Sequence, residues 1–99
     1  MFDKLETIEV RYLELEKALS DPAIIANHKE YQRLAKEHAD LTPTVQTWRK
    51  YKKLSGRLDD NRELLDDSDP EIRQLAREDS NELQRQLDDL EEELRELLT

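Results

Sequence analysis

The residues with chemical potential fall into three groups: two histidines, a series of acid pairs and one cationic-aromatic cluster. His28 and His38 stand too far apart, and without any cysteine, to share a metal. Two ligands on one helix face need a spacing of about four residues. They read instead as a first-turn surface residue and a partly buried packing residue. The acid pairs are Asp59-Asp60, Asp66-Asp67, Asp88-Asp89 and the run Glu91-Glu92-Glu93. General acid–base chemistry needs two carboxylates in differently perturbed surroundings within a pocket. Carboxylates on solvated helix faces lack that contrast, and no nucleophile–base pair exists to make the chain a hydrolase. No catalytic, cofactor-binding or metal-binding residue is therefore assigned, and the chain is predicted not to be an enzyme in its own right. The third group, Trp48-Arg49-Lys50-Tyr51-Lys52-Lys53, is the sharpest. Trp48 and Tyr51 lie on a helical seam and are expected to be buried. Arg49, Lys50, Lys52 and Lys53 must then fan over the outer face. A few cations suffice for a local phosphate contact, so these four are the candidate contact with RNA or an acidic protein surface.

The elements that position these groups follow from composition and periodicity. Charged residues make up 41% of the 99-residue chain and hydrophobic ones 35%, so any core must be thin. One Gly, three Pro and an abundance of Leu, Glu, Lys, Arg and Asp suit long helices with a narrow apolar seam. Disorder shares this composition, and periodicity decides against it. The net charge of −9 argues against broad binding to a phosphate backbone. That charge is uneven: residues 1–56 hold ten Lys/Arg and nine Asp/Glu, whereas residues 57–99 hold six Arg and sixteen Asp/Glu. The absence of cysteine excludes disulfides and thiolate sites. The longest apolar run, Ala23-Ile24-Ile25-Ala26, is too short to span a bilayer. Without a signal-peptide pattern after Met1, a soluble, cytoplasmic protein with no membrane contact and no small-molecule substrate is expected.

Met1, Leu5, Ile8, Tyr12, Leu15 and Leu19 alternate steps of four and three, the seam of a coiled coil. Ser20-Asp21-Pro22 ends that helix, since the residue before a proline is pushed out of helical geometry. A short Ala23–Ala26 connection follows, tucking Ile24 or Ile25 inward. Asn27 and Glu30 have the spacing of a capping box. Tyr31, Leu34, His38, Leu41, Val45, Trp48 and Tyr51, continued by Leu54, Leu58 and Leu65, form the second seam. Pro43 is expected to kink or re-cap this helix, and Gly56 to soften it. Asp66-Asp67-Ser68-Asp69-Pro70 makes the next turn, with Pro70 at the first helical position behind an Asp cap. The third seam runs through Ile72, Ala76, Leu83, Leu87, Leu90, Leu94 and Leu97, with Asp79 falling where a Leu is expected. That interruption predicts a stutter that locally unwinds the supercoil. The prediction is an all-α fold in one helical domain, residues 1–99. Its helices lie near 2–19, 28–66 and 70–98. It is an elongated antiparallel helical hairpin, or coiled coil, with a shorter N-terminal third helix, making a three-helix bundle.

Several stretches, taken in order, give this pattern a family likeness: Met1-Phe2-Asp3-Lys4-Leu5-Glu6 with Arg11-Tyr12, Leu19-Ser20-Asp21-Pro22, Tyr31-Gln32-Arg33-Leu34-Ala35-Lys36-Glu37 and Tyr51-Lys52-Lys53-Leu54. Glu63-Leu64-Leu65-Asp66, Asp69-Pro70-Glu71 and the closing Leu90–Leu98 follow. The whole chain thereby resembles the N-terminal domain of bacterial class I peptide chain release factors. Asp21-Pro22 is followed by Ala23-Ile24-Ile25 rather than the Phe-Trp pair of the UGA-reading type, so the resemblance is to the type that reads UAA and UAG. The resemblance implies a docking and positioning role in translation termination. It also implies contact with the ribosome at the stalk base of the large subunit, proximity to the GTPase release factor, and local contact with ribosomal RNA through Arg49, Lys50, Lys52 and Lys53. The family's Gly-Gly-Gln and its codon-reading tripeptide are not present in these residues, and the chain is expected to be a fragment of a longer factor that triggers peptidyl-tRNA hydrolysis. The rival reading is a helical-hairpin adaptor or prefoldin-like chaperone subunit. Such a chaperone would expose apolar residues at its hairpin tip, whereas Asp66–Pro70 is wholly polar.

Overall fold

The computed structural model describes all 99 residues. They form helices and no strands, in the order α1 (Phe2–Leu19), α2 (Pro22–Ala26), α3 (His28–Asn61), a 3-10 turn (Arg62–Asp66) and α4 (Pro70–Leu97). The all-α reading of the seams is therefore correct. The chain divides into two compact units, Met1–Gln46 and Thr47–Thr99.

In the first unit, α1 buries Leu5, Tyr12 and Leu15, the centre of the seam read from the sequence. Asp3 near its start and Lys17 near its end complement the helix dipole. The connection that follows is itself a turn of helix. The Asp21 carboxylate caps it by accepting from Ala23 N at 2.9 Å, with Pro22 at the first helical position. Ile24 is half-buried and Ile25 exposed. Asn27 caps α3, its side-chain oxygen accepting from Glu30 N at 3.2 Å. The reciprocal half of the capping box does not form. The Glu30 carboxylate instead accepts from Arg33 Nε at 3.1 Å, and Asn27 N donates to Ile24 O at 3.0 Å.

α1 and the opening turns of α3 meet through side chains of mixed polarity. Arg11 grips Glu37 with two parallel bonds, Nε to Oε2 at 2.6 Å and Nη2 to Oε1 at 2.8 Å. Tyr12 stacks on His38 at 4.1 Å between ring centroids, and its hydroxyl lies 3.0 Å from Thr42 Oγ1. Pro43 sits inside α3, where it can offer no N–H to the Ala39 carbonyl. One residue earlier, the Thr42 hydroxyl donates to His38 O at 2.8 Å.

The second unit is an antiparallel hairpin of the last turns of α3 against α4. Leu54, Leu83, Leu87 and Leu90 make its core, and Tyr51 and Leu58 pack against them. Its two ends are marked by the Thr47 hydroxyl on Glu93, at 3.4 Å, and by Asn61 on Ala76 and Ser80. The predicted helix ending near residue 66 stops at Asn61 and tightens into the 3-10 turn, a common way to finish a helix. The Asp69 carboxylate then accepts from Glu71 N at 2.9 Å, with Pro70 at the first position of α4. Arg73 Nη1 fastens the turn to α4 through the carbonyls of Asp67 (2.7 Å) and Ser68 (3.2 Å).

The expected stutter at Asp79 is absent. Asp79 is exposed, and the half-buried Ser80 takes the seam position between Ala76 and Leu83. Ala76, Ser80, Leu83, Leu87, Leu90 and Leu94 thus keep steps of four and three throughout. A small hydroxyl fits there because Asn61, also on the seam and buried, answers it. The Asn61 Nδ2 group donates to Ser80 Oγ at 2.7 Å and to Ala76 O at 2.8 Å. Each polar partner, taken singly, breaks the apolar pattern, so periodicity alone does not reveal the pair.

Candidate interaction surface

The cationic cluster lies on α3 within the second unit. At 3.6 residues per turn, Arg49, Lys50, Lys52 and Lys53 cover an arc of roughly 160°, and all four are exposed. Trp48, 5% exposed, and the half-buried Tyr51 take the opposite side and fix the rotation of the helix. The two rings stack at 5.7 Å between centroids, and Lys52 Nζ lies 5.2 Å from the Trp48 ring centre. Contact of this kind attracts an ammonium to the electron-rich face of the indole. Lys52 is thereby positioned by an aromatic platform.

Acidic side chains of α4 flank this stripe. Lys50 edges a groove whose lining includes Leu54, Leu90, Asp89 and Glu93. Burial pushes the Tyr51 hydroxyl above its ordinary pKa, with the charges of Glu91 and Asp88 adding to the effect. The cations therefore form a short band, about one turn long, beside acidic side chains of α4, able to meet a few phosphates or carboxylates at close range. They do not make the broad positive face that nonspecific nucleic-acid binding uses.

The remaining candidates are dispersed. His28 is exposed and His38 is half-buried against Tyr12. His38 Nε2 has no aligned hydrogen-bond partner, and Glu16 Oε2 is 3.5 Å away. No group of three or more His, Asp or Glu side chains converges as a metal cage would. Four of the paired acids, Asp59, Asp89, Glu91 and Glu92, take part in ion pairs with arginines on the helix surface. Arg85 holds both Glu82 (2.6 Å) and Asp89 (2.9 Å), and Arg95 holds Glu91 at 3.0 Å. The Arg85 hydrogen bond draws the Glu82 carboxyl below its usual pKa.

One further surface feature lies at the turn end of the hairpin. The turn Asp66–Pro70 is polar, but its flanks are not. Leu64, Ile72 and Leu75 are exposed by 44%, 37% and 64%, so Ile72, expected on the third seam, lies at the surface instead. The signal was available, since Leu64 and Leu75 are both leucines lying off the seams.

Against known families, residues 8–99 match the model described as the PCRF domain. The chain belongs to the PCRF domain family. Its relatives agree. It is 46% identical over 98 residues to peptide chain release factor 1 of Geobacter sulfurreducens, covering 99% of this chain and 27% of that protein. The protein of the same name from Syntrophus aciditrophicus is 47% identical over 98 residues, again with 99% of this chain covered and 28% of the relative. A Clostridium botulinum relative, also so named, is 48% identical over 99 residues, with the same two shares. The chain thus spans little more than a quarter of the length of these curated relatives. No solved structure matches it significantly. The PCRF match includes the whole cationic stripe and both flanks of the hairpin turn. No helix in this PCRF chain is long and apolar enough to cross a membrane.

Proposed function

We propose that the chain is the N-terminal docking and positioning domain of a peptide chain release factor acting in translation termination in the cytoplasm. The observation that carries this is the combination of the PCRF match over residues 8–99 with 44–48% identity, across nearly all of the chain, to proteins named peptide chain release factor 1. In this reading the domain positions the factor at the large-subunit stalk base, facing the GTPase release factor. Arg49, Lys50, Lys52 and Lys53 supply a local contact to ribosomal RNA. The geometry suits that role because Trp48 and Tyr51 hold the stripe in place and leave all four cations exposed. The whole factor reads UAA and UAG, an assignment supported by Ala23-Ile24-Ile25 after Asp21-Pro22.

A chimera tests the docking role. This chain replaces the matching quarter of the Geobacter sulfurreducens protein, and peptide release is measured on reconstituted termination complexes. Release and ribosome association near those of the unaltered relative are expected. A folded chimera that no longer associates with ribosomes overturns the proposal. Converting all four cations to Glu in the chimera should weaken association and flatten its salt dependence, and unchanged binding across a salt titration removes the RNA contact. Codon choice is read separately, by assaying the full-length product of the same gene on UAA, UAG and UGA; release at UGA equal to that at UAA contradicts the codon assignment.

A further inference from the structure

At the turn end of the hairpin, Leu64, Ile72 and Leu75 line one open groove of about 370 Å³, together with Asn61, Ala76 and Asp79. Leu75 also borders a second depression with Glu71, Gln74 and Glu78. These leucines serve no internal seam, and a helix gains nothing from holding them in water. Contiguous exposed apolar surface with a polar rim marks contact with another molecule.

The charge around the groove says which kind. Residues 59–82 carry ten Asp/Glu against three Arg. Each Arg is engaged locally: Arg62 with Asp59 at 3.1 Å, Arg73 with the turn carbonyls, and Arg77 with Gln74 Oε1 at 2.6 Å. The rim is therefore negative. Nucleic acid and anionic lipid are repelled by it, and a second copy of this end brings like charge against like. An apolar anchor with Lys and Arg beside it satisfies both features at once.

We propose that the groove of Leu64, Ile72 and Leu75 is a docking site for a cationic amphipathic helix of a partner protein. An apolar side chain of that helix seats between Leu64 and Leu75, and its Lys or Arg residues meet Glu71, Glu78 and Asp79. The site is distinct in place and in sign of charge from the α3 stripe, so the proposal goes beyond the reading above and does not depend on it.

The test uses this chain, isotopically labelled, and three synthetic peptides: a Leu/Lys amphipathic helix, the same helix with Glu for Lys, and the same helix with Gln for Leu. Only the Leu/Lys helix should bind well, with amide shifts confined to residues 61–64 and 72–79. The Gln/Lys helix should bind at least roughly tenfold more weakly, and the Leu/Glu helix not at all. Leu64→Ser with Leu75→Ser should cost a similar factor while helicity by circular dichroism is kept. Leu75→Gln alone, at the most exposed position, serves if the double variant loses structure, and should weaken binding several-fold. Equal binding of the Leu/Lys and Gln/Lys peptides overturns the proposal, as do shifts spread evenly along α4 or variants that bind like the parent. Self-association through these residues in sedimentation, or tighter binding of a short RNA hairpin to the same amides, also overturns it. No ribosome enters the experiment, so its failure is separate from failure of the termination reading.

Discussion

Replacing Asn61 with Ala removes a buried side-chain amide that donates to Ser80 Oγ at 2.7 Å and to Ala76 O at 2.8 Å. Each neutral hydrogen bond contributes about 0.5–1.5 kcal/mol net, so the pair amounts to about 2 kcal/mol. Alanine returns up to about 0.7 kcal/mol of helix propensity. The Ala76 carbonyl keeps its helical donor, and the half-buried Ser80 hydroxyl can turn to water, so no large desolvation penalty is added. The expected net loss is about 1–2 kcal/mol, which lowers the melting temperature by roughly 5–15 °C in a chain of this size. Urea denaturation followed at 222 nm measures it. Ser80→Ala and the double variant complete a cycle, in which a coupling near 1 kcal/mol is expected for directly bonded partners. An Asn61→Ala chain as stable as the parent, or a coupling of zero, refutes the account of this polar layer.

Gly56→Ala should stabilise the chain by about 1 kcal/mol, because the residue lies inside α3 and an added Cβ meets nothing within 4 Å; chemical denaturation checks this. Pro43→Ala restores an N–H to the Ala39 carbonyl and relieves the ring clash, and should raise stability by up to about 3 kcal/mol, with a gain in ellipticity as the independent readout. The Glu37 carboxyl is held below its ordinary value, first by its hydrogen bond from Arg11 and then by the Arg11 and Arg33 charges. A carboxyl depressed on folding contributes stability above its unfolded pKa of about 4.3, and that contribution is lost as pH falls through the lower folded value. Glu37→Gln should therefore destabilise at pH 7 and have little effect at pH 2, read from paired melting curves.

The apolar seams were legible from the sequence because side-chain spacing and helix period are one constraint. Leu5, Tyr12, Leu15, Leu54, Leu83, Leu87 and Leu90 are buried where periodicity puts them. Caps formed by Asn27 and Asp69 were equally visible, since each depends on residues two or three positions away, whereas Asp21, read only as ending α1, also caps the short α2. The polar layer was not. Asn61 and Ser80 lie on different helices, and nothing in either helix alone announces that one satisfies the other. Glu30 illustrates the same limit locally, where an arginine one turn onward outcompetes the capping geometry. For the surface, the sequence located the α3 cations and their aromatic backing. It passed over the apolar flanks of the turn, because reading Asp66–Pro70 as polar ignored the off-seam leucines on either side.

Trp48 gives the chain a built-in optical label. It is the sole tryptophan, it is buried, and it lies in the second compact unit against Tyr51. The first unit holds only Tyr12 and Tyr31 as phenolic reporters. Indole emission therefore follows the melting of one unit, while far-ultraviolet dichroism follows the helices of both. Coincident curves would mean that folding propagates along the shared helix α3 as a single event. Separated curves would make the 46–47 junction a point of thermodynamic independence, and the two halves could then be tuned for stability one at a time.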